Sequence, residues 1–273
     1  MAGTGRKWLV GCGSGCAAVL LLGIVVSVGG GFLMMRPFNR AAESQRELAD
    51  AHGMREDFSP GPEAFRRERI QAFLAVRSEL MPHCETFARL TARFEAVEQL
   101  DQGQQDVSAG EAVKTVLPVI GSVFGIAGNI GRYVEARNRA LLAQDMGLGE
   151  YLWYYVIVYN SWLGHEPNQD FDDGDADGAY ATGERRAIAA LLANHAGALR
   201  AAGRAAEAEV WATEAEVVMD AQTGVPFGLG GLPAAETAAL EPWRDKLEAL
   251  YCAATSAFEL GAVRKKGLSF HSD

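Results

Sequence analysis

Residues 151–159 have the sequence Tyr-Leu-Trp-Tyr-Tyr-Val-Ile-Val-Tyr, an apolar and aromatic run that ends near Gly164. Its β-branched and aromatic residues are also common in strands. The length of the run, and the helical pattern of its neighbours with no partner strand among them, favour a helix instead. We expect this helix to be the buried centre of a domain, with its hydroxyl groups bonded internally. A ligand-stacking site, or contact with a membrane surface, is the alternative that such amphipathic rings allow.

The segments on both sides of this run also show helical periodicity. Apolar residues recur at helical spacing from Ile70 onward to Val97, with Arg77 as the one polar exception, and Pro82 should kink or split this element. Further helices are predicted at Phe38–His52, Tyr133–Met146, Glu184–Ala202, Arg204–Ala221 and Glu236–Leu260. Because no period-2 alternation is sustained over several segments, the predicted fold class is all-α, with an N-terminal transmembrane helix followed by a helical bundle-like soluble domain.

The predicted transmembrane helix is an unbroken uncharged run of 27 residues, Leu9 to Met35, between Arg6-Lys7 and Arg36. At about 1.5 Å per helical residue the run is roughly 40 Å long, which exceeds the roughly 30 Å hydrocarbon core of a bilayer. A secretory signal peptide has a shorter apolar stretch of about 7–15 residues and a small-residue cleavage site. The run therefore predicts an uncleaved anchor in the lipid bilayer.

Small residues recur on this anchor at a four-residue spacing, with one interruption at Val19. They are Gly11, Gly15, Gly23, Ser27 and Gly31. Positions four apart lie on nearly one helical face, and in lipid such a face lets two backbones approach closely. The pattern favours a homodimer or a partner membrane helix, although glycine is frequent in membrane helices in general.

Four segments follow from these features: a basic tail (1–8), the anchor (9–35), a juxtamembrane helix and linker (36–62) and a helical soluble domain (63–273). Arg6 and Lys7 favour a cytoplasmic N-terminus, whereas Arg36, Arg40 and Arg46 favour the opposite orientation. Because a short basic tail is the usual start of an anchor with its N-terminus inside, we expect the C-terminal domain to be extracytoplasmic.

The apolar residues 113–130 contain Pro and four-spaced glycines, which fit packed core helices better than a second span.

Charge and motif content disfavour several classes of function. The chain carries 35 acidic and 25 basic side chains, a net charge of −10, whereas nucleic-acid binding needs clusters of Lys and Arg on the phosphates. No H-E-x-x-H, C-x-x-C, G-x-S-x-G or Walker A motif occurs. The sequence therefore predicts neither a nucleic-acid partner nor an enzyme.

Two of the four cysteines lie outside the predicted anchor. Cys12 and Cys16 fall inside the uncharged run, and Cys84 and Cys252 fall in the soluble part. The latter two could pair if the domain is outside the cytoplasm, but spacing alone cannot decide this. Two buried free thiols are the favoured interpretation.

An acidic loop resembles the calcium-binding loop of EF-hand proteins over twelve residues. Counting Asp173 as position 1, carboxylates follow at positions 3, 5 and 12 in Asp175, Asp177 and Glu184, with Gly178 at position 6. Three short carboxylates on alternating residues of a tight loop converge on one point, and the last carboxylate closes the calcium site. No entering helix abuts position 1, however. An acidic surface loop in front of a helix is the favoured alternative to a calcium site.

Several short segments together carry a wider resemblance. They are residues 68–77 (Glu-Arg-Ile-Gln-Ala-Phe-Leu-Ala-Val-Arg), 135–142 (Glu-Ala-Arg-Asn-Arg-Ala-Leu-Leu), 146–151 (Met-Gly-Leu-Gly-Glu-Tyr), 161–164 (Ser-Trp-Leu-Gly) and 258–261 (Phe-Glu-Leu-Gly). With its Gly- and Cys-rich anchor, the chain resembles a group of uncharacterised bacterial proteins with one N-terminal transmembrane helix. The resemblance covers most of the chain and implies a helical protein of the bacterial inner membrane. It implies no known activity, cofactor or catalytic residue.

These observations predict a non-enzymatic, single-pass membrane protein whose helical domain mediates protein interaction or organises the cell envelope. One alternative is a calcium-binding module that uses the Asp173–Glu184 loop. Another is a lipid- or small-molecule-binding protein with a pocket lined by the aromatic helix.

Overall fold

The computed structural model describes residues 36–101, 128–167, 180, 182–220, 224–228 and 231–260. These residues form helices, turns and irregular segments without a strand, which confirms the all-α fold class. No helix in these ranges is both long and apolar enough to cross a membrane. The predicted anchor Leu9–Met35 and most of the apolar segment 113–130 lie outside the described residues. The transmembrane helix is thus not supported by the structure and stays a prediction.

Nine α-helices follow one another along the described chain. Their bounds are α1 (36–52), α2 (Arg67–Asp101), α3 (128–143), α4 (Leu148–Tyr155), α5 (Thr182–Ala201), α6 (Ala205–Met219), α7 (Ala234–Leu240), α8 (Arg244–Ala249) and α9 (Ser256–Glu259). A π-helix, Val156–Trp162, continues α4, and 3-10 turns occupy Arg55–Asp57, Glu241–Trp243 and Ala253–Thr255.

The aromatic run forms the centre of the structure, as predicted. All residues from 148 to 160 are buried, which is expected of a helix that is apolar on every side. Phe73 of α2 packs against three of its rings, with centroid distances of 5.5 Å to Tyr151, 5.4 Å to Tyr154 and 5.9 Å to Tyr159. The core therefore forms where α2 crosses the aromatic helix.

Helices α1 and α3 run in the same direction, and α2 runs against both. Gly131 near the start of α3 is so close to α1 that a Cβ there would lie 2.9 Å from Pro37 Cβ. At the other end, His52 of α1 approaches Gly147, just after α3. Helix α2 runs in the opposite direction, since Arg69 near its start donates to the carbonyl of Gln144, just after the end of α3. Residue 36 and the start of α2 therefore lie at opposite ends of this three-helix layer.

Two helix predictions need correction. Helix α2 continues through Pro82 instead of splitting. Proline has no N–H to donate to the Ser78 carbonyl, but both residues are exposed, so this carbonyl can bond water instead. The predicted single helix Glu236–Leu260 is divided into α7, α8 and α9 by two 3-10 turns. The first turn contains Pro242, and the second follows Cys252, whose backbone is extended at φ −135°.

Cys84 and Cys252 form a disulfide, so the favoured interpretation of two free thiols was wrong. The break after α8 brings Cys252 beside α2, with a Cα–Cα distance of 5.9 Å to Cys84. The two residues are separated by 168 positions in sequence, and only the folded path of the chain brings them together. The disulfide attaches the C-terminal segment to the longest described helix.

Replacing both Cys84 and Cys252 with Ser should lower the free energy of unfolding by about 2–5 kcal/mol, because the bond closes a long loop in the unfolded chain. Denaturant unfolding of the full chain in detergent measures the change. A matched Cys12→Ser/Cys16→Ser variant should unfold like the wild type. Equal stability of the oxidised and reduced wild type would contradict the role of the bond.

Candidate functional site

The most strongly charged part of the interior is an ion pair between Arg77 of α2 and Glu259 of α9. Arg77 is 1% exposed and Glu259 is fully buried. Arg77 Nη1 pairs with Glu259 Oε1 and also donates to the Tyr151 hydroxyl at 2.9 Å. That hydroxyl in turn donates to Glu259 Oε2 at 2.6 Å. Both carboxylate oxygens are therefore bonded, which buried charge requires.

The remaining donors of Arg77 bind the backbone of the C-terminal segment. Its Nε and Nη2 donate to the Leu250 carbonyl at 3.2 and 2.9 Å. A second buried arginine, Arg137 of α3, donates from Nη1 to the carbonyls of Phe258 and Glu259 at 3.2 and 2.9 Å. Two guanidinium groups from two helices thus fix the segment 250–260.

Aromatic rings complete the surroundings of the Arg77 guanidinium. The rings of Tyr155 and Tyr159, four residues apart on the helix, lie 5.5 and 5.3 Å from its central carbon. Burial is the largest single influence on the pKa of Arg77 and lowers it, but the Glu259 carboxylate and the surrounding tyrosines together outweigh burial, so the pKa is raised and the guanidinium stays charged. Burial raises the pKa of Tyr159 to about 12, so this hydroxyl is neutral at physiological pH.

The Arg77 cluster is closed to substrates. Arg77, Glu259, Tyr151 and Tyr155 are each at most 1% exposed. Buried ion-pair networks perturb pKa values in structural roles as well as in catalytic ones. We therefore assign the cluster an architectural role, in which it holds α2, the aromatic helix and the C-terminal segment together.

The segment before α2, predicted as a linker, is fixed by side chains of the core. Its alternate carbonyls at residues 56, 58, 60, 62 and 64 all contact side chains of α4, of α5 or of Arg204, just before α6. Asn194 Nδ2 donates to the Glu56 and Phe58 carbonyls at 3.2 and 3.0 Å. Tyr154 donates to Ala64 at 2.7 Å, and Arg204 donates to Pro62 at 2.6 Å. His195 Nδ1 lies 3.4 Å from the Pro60 carbonyl.

His195 is fully buried between two tryptophan rings, with centroid distances of 5.0 Å to Trp153 and 4.5 Å to Trp211. Burial lowers its pKa, and the nearby Arg204 guanidinium acts in the same direction. As the pH falls, His195 therefore becomes protonated at a higher pH in the unfolded chain than in the folded one. The associated stability is present above about pH 6.5 and is lost as the pH falls toward the lowered value.

Two adjoining clefts open along this segment. The larger, about 580 Å³, lies between residues 58–66 and the side chains of Arg69, Asp145 and Glu150. Arg69 is already paired there, since its Nε donates to Glu150 Oε1 at 2.6 Å and its Nη2 contacts the other oxygen. The smaller, about 270 Å³, lies between residues 62–66 and α7.

A third depression, about 500 Å³, lies between α2 and α8, and we call it the α2–α8 groove. It is lined by Gln71, Leu74, Ala75, Ser78, Trp243, Lys246, Ala249 and Leu250. Cations flank its tryptophan: Arg67 and Lys246 lie 5.8 and 5.6 Å from the ring centroid of Trp243. The groove combines an apolar floor with a positively charged rim.

Most of the predicted site residues lie outside the described part of the chain. This holds for Gly11, Gly15, Gly23, Ser27 and Gly31 of the anchor face, and for Asp173, Asp175 and Asp177 of the calcium loop. Glu184 lies in the first turn of α5, as predicted. Among the described residues no group of three His, Cys, Asp or Glu could hold a metal ion. Calcium binding stays a prediction.

The predicted ligand pocket along the aromatic helix also stays a prediction. The gap beside its residues Leu152, Trp153 and Val156, on the side of α5, is too narrow to admit a water molecule. Sequence reasoning did not identify the ion pair or the two clefts. One signal was present, since Arg77 interrupts an otherwise apolar helical stripe. Nothing in the sequence marked Glu259 as its partner.

Comparison with known proteins adds no relative. No protein-family model matches the chain, and no curated protein or solved structure is significantly similar to it. Its function must therefore be argued from the residues and their geometry.

Arg77→Met should lower the free energy of unfolding by about 3–5 kcal/mol, because Glu259 would be left buried and unpaired. Glu259→Met should cost a similar amount, and the double variant should cost clearly less than the sum of the two. The control Arg200→Met removes an ion pair with Glu209 in which the two side chains are 53% and 78% exposed, and it should cost less than about 1 kcal/mol. Additive costs in a denaturant double-mutant cycle would rule out the coupling.

Proposed function

We propose that the chain is a single-pass membrane protein whose helical domain lies outside the cytoplasm and binds a partner protein. The disulfide between Cys84 and Cys252 is the main observation that favours this location. Disulfides form and persist in oxidising compartments and are rare in the cytosol. The uncharged run Leu9–Met35 supplies the anchor in this proposal, and Arg6 and Lys7 supply the cytoplasmic charge.

The direction of the helices supports a membrane-distal position for the binding surface. The described part of helix α1 covers residues 36–52, which follow the proposed anchor in sequence, and these 17 residues extend about 25 Å. The α2–α8 groove includes Gln71 and Ser78, which belong to the half of α2 at the opposite end from residue 36. In this arrangement the groove faces soluble or envelope proteins rather than the lipid of its own bilayer.

The chemistry of the groove favours an amphipathic helix as its partner. Leu74, Ala75 and Trp243 offer an apolar floor, and helices commonly bind such grooves through residues spaced three or four apart. Arg67 and Lys246 at Trp243 provide partners for acidic residues on the incoming helix. Tryptophan and arginine are also the residues that most often dominate the free energy of protein binding.

The proposed location can be tested with two reporters fused after Asp273 in a bacterial host. Alkaline phosphatase, which is active only outside the cytoplasm, should be active, and green fluorescent protein in the same position should be dark. An Arg6→Asn/Lys7→Asn variant should shift both signals toward the opposite result. Without these two charges the residues after the anchor, with Arg36, Arg40 and Arg46, are the more positive flank and favour the cytoplasm. A fluorescent wild-type fusion without phosphatase activity would contradict the location.

The proposed binding surface can be tested by introducing a photo-crosslinking amino acid at Ser78 or Ala249, both exposed in the groove. Illumination of intact cells should give the same adduct from both positions, and Leu74→Glu should abolish it by placing a charge on the apolar floor. The control position Ala206, exposed on α6, should give no adduct. Equal adducts from Ala206, or none from the groove, would contradict the proposal.

A further inference from the structure

Residues 59–63, which we call the strap, lie over the buried histidine of α5. Pro60 is buried, whereas the other four residues of the strap are exposed and form no helix. The Pro60 carbonyl lies 3.4 Å from His195 Nδ1, and the His195 side chain is fully buried. Because the exposed strap contacts His195 through its one buried residue, it separates this side of the imidazole from solvent.

The closed strap favours the neutral form of His195. A carbonyl oxygen can only accept a hydrogen bond, so Nδ1 carries the proton and Nε2 is unprotonated. Nε2 is buried without a hydrogen-bond partner among the described residues, beside the rings of Trp153 and Trp211. A second proton would place an N–H there without an acceptor and a charge without water, and both are costly.

The charged side chains that act on the imidazole have opposite effects. Arg204, just before α6, disfavours a positive charge on His195, and Glu207 of α6 favours one. These two are paired with each other, since Arg204 Nε donates to Glu207 Oε1 at 2.7 Å. Helix α4 contributes the uncharged ring of Trp153, and Glu63 of the strap itself is exposed. Burial outweighs the favourable contributions and lowers the pKa of His195.

The hydrogen bonds on both sides of the strap do not depend on pH in the same way. Asn194, which cannot titrate, holds the carbonyls of Glu56 and Phe58. Tyr154 holds the Ala64 carbonyl, and burial raises the pKa of its hydroxyl, which therefore stays neutral. A local opening breaks the fewest bonds where these fixed points end. Acid therefore acts on the strap between them.

We infer that the strap is an acid-operated gate, in which protonation of His195 releases residues 59–63 and gives water access to the imidazole and the adjoining tryptophan rings. In the open state the imidazole is hydrated and binds a proton with its ordinary affinity, so a falling pH shifts the population toward that state. Because the strap forms part of the wall of the larger cleft, its release changes the shape of that cleft. This inference is independent of the proposed location and of the proposed partner.

The test compares two thiol probes in the full chain in detergent, with Cys12 and Cys16 replaced by Ser. Pro60→Cys places a thiol at the buried position, and Ser59→Cys places one at an exposed position next to it. The ratio of their reaction rates with 4,4′-dithiodipyridine corrects for the pH dependence of the thiol itself. The ratio should be constant above about pH 6.5 and should rise by up to about tenfold per pH unit below it.

Matched variants assign this rise to His195 and to the strap. His195→Asn and His195→Gln each keep an amide N–H donor without a titratable group, and either one that folds should give a ratio that does not depend on pH. His52→Gln, a control at the end of α1, should leave the rise unchanged. A thiol introduced by Ala41→Cys, at a fully buried position of α1, should stay unreactive throughout, because the opening is local.

A measurement on the unmodified chain does not depend on any variant folding. Deuterium exchange at the imidazole carbon between the two nitrogens of His195, followed by mass spectrometry, reports the protonation of this residue. Its midpoint should lie below pH 6.5.

Four results would overturn the inference. The first is a ratio of reaction rates that does not change with pH in the wild-type background. The second is an equal rise in folded His195→Asn or His195→Gln. The third is a parallel rise at Ala41→Cys, which would mean that the whole domain opens. The fourth is a midpoint for His195 at or above pH 6.5.

Discussion

The structure depends on the buried pair of Arg77 and Glu259. Removing two charges from water is expensive, and the cost is recovered only when every donor and acceptor finds a partner. Here the Tyr151 hydroxyl bridges the pair and the Leu250 carbonyl accepts the remaining guanidinium donors. The position of α9 is set by this requirement. The disulfide to α2, seven residues before Glu259, fixes the same segment covalently.

Local sequence patterns correctly predicted features that depend on residues close together in the sequence, namely helix ends and the buried aromatic helix. Glycine at position 53 ends α1 with a φ of 78°, and Gly164 follows the aromatic helix with a φ of 74°. Both are positive backbone angles that glycine adopts at low cost. The continuous apolar character of residues 151–159 was enough to identify the buried centre, because a helix without a polar face has no surface to expose.

The features that sequence did not predict depend on residues far apart in the chain. The pairing of Cys84 with Cys252, of Arg77 with Glu259 and of Asn194 with the Phe58 carbonyl each joins positions separated by more than 130 residues. Composition suggested a linker in the segment that contains Pro60, because Pro, Gly and Ser are common in linkers. Such a segment is ordered only if side chains of other helices donate hydrogen bonds to its carbonyls, and the local sequence does not show which side chains will lie beside it. The contact of His195 with the Pro60 carbonyl is equally a product of packing.

The order in which the ion-pair partners occur along the chain has a consequence for biosynthesis. Arg77 is translated early, and Glu259 follows 182 positions later. Until residues 252–259 emerge, Arg77 lacks the Glu259 carboxylate with which it enters the core, and Cys84 lacks its partner Cys252. Early helices can form, but their final packing against one another must wait. The final packing of this domain is therefore completed only after the ribosome has delivered Glu259.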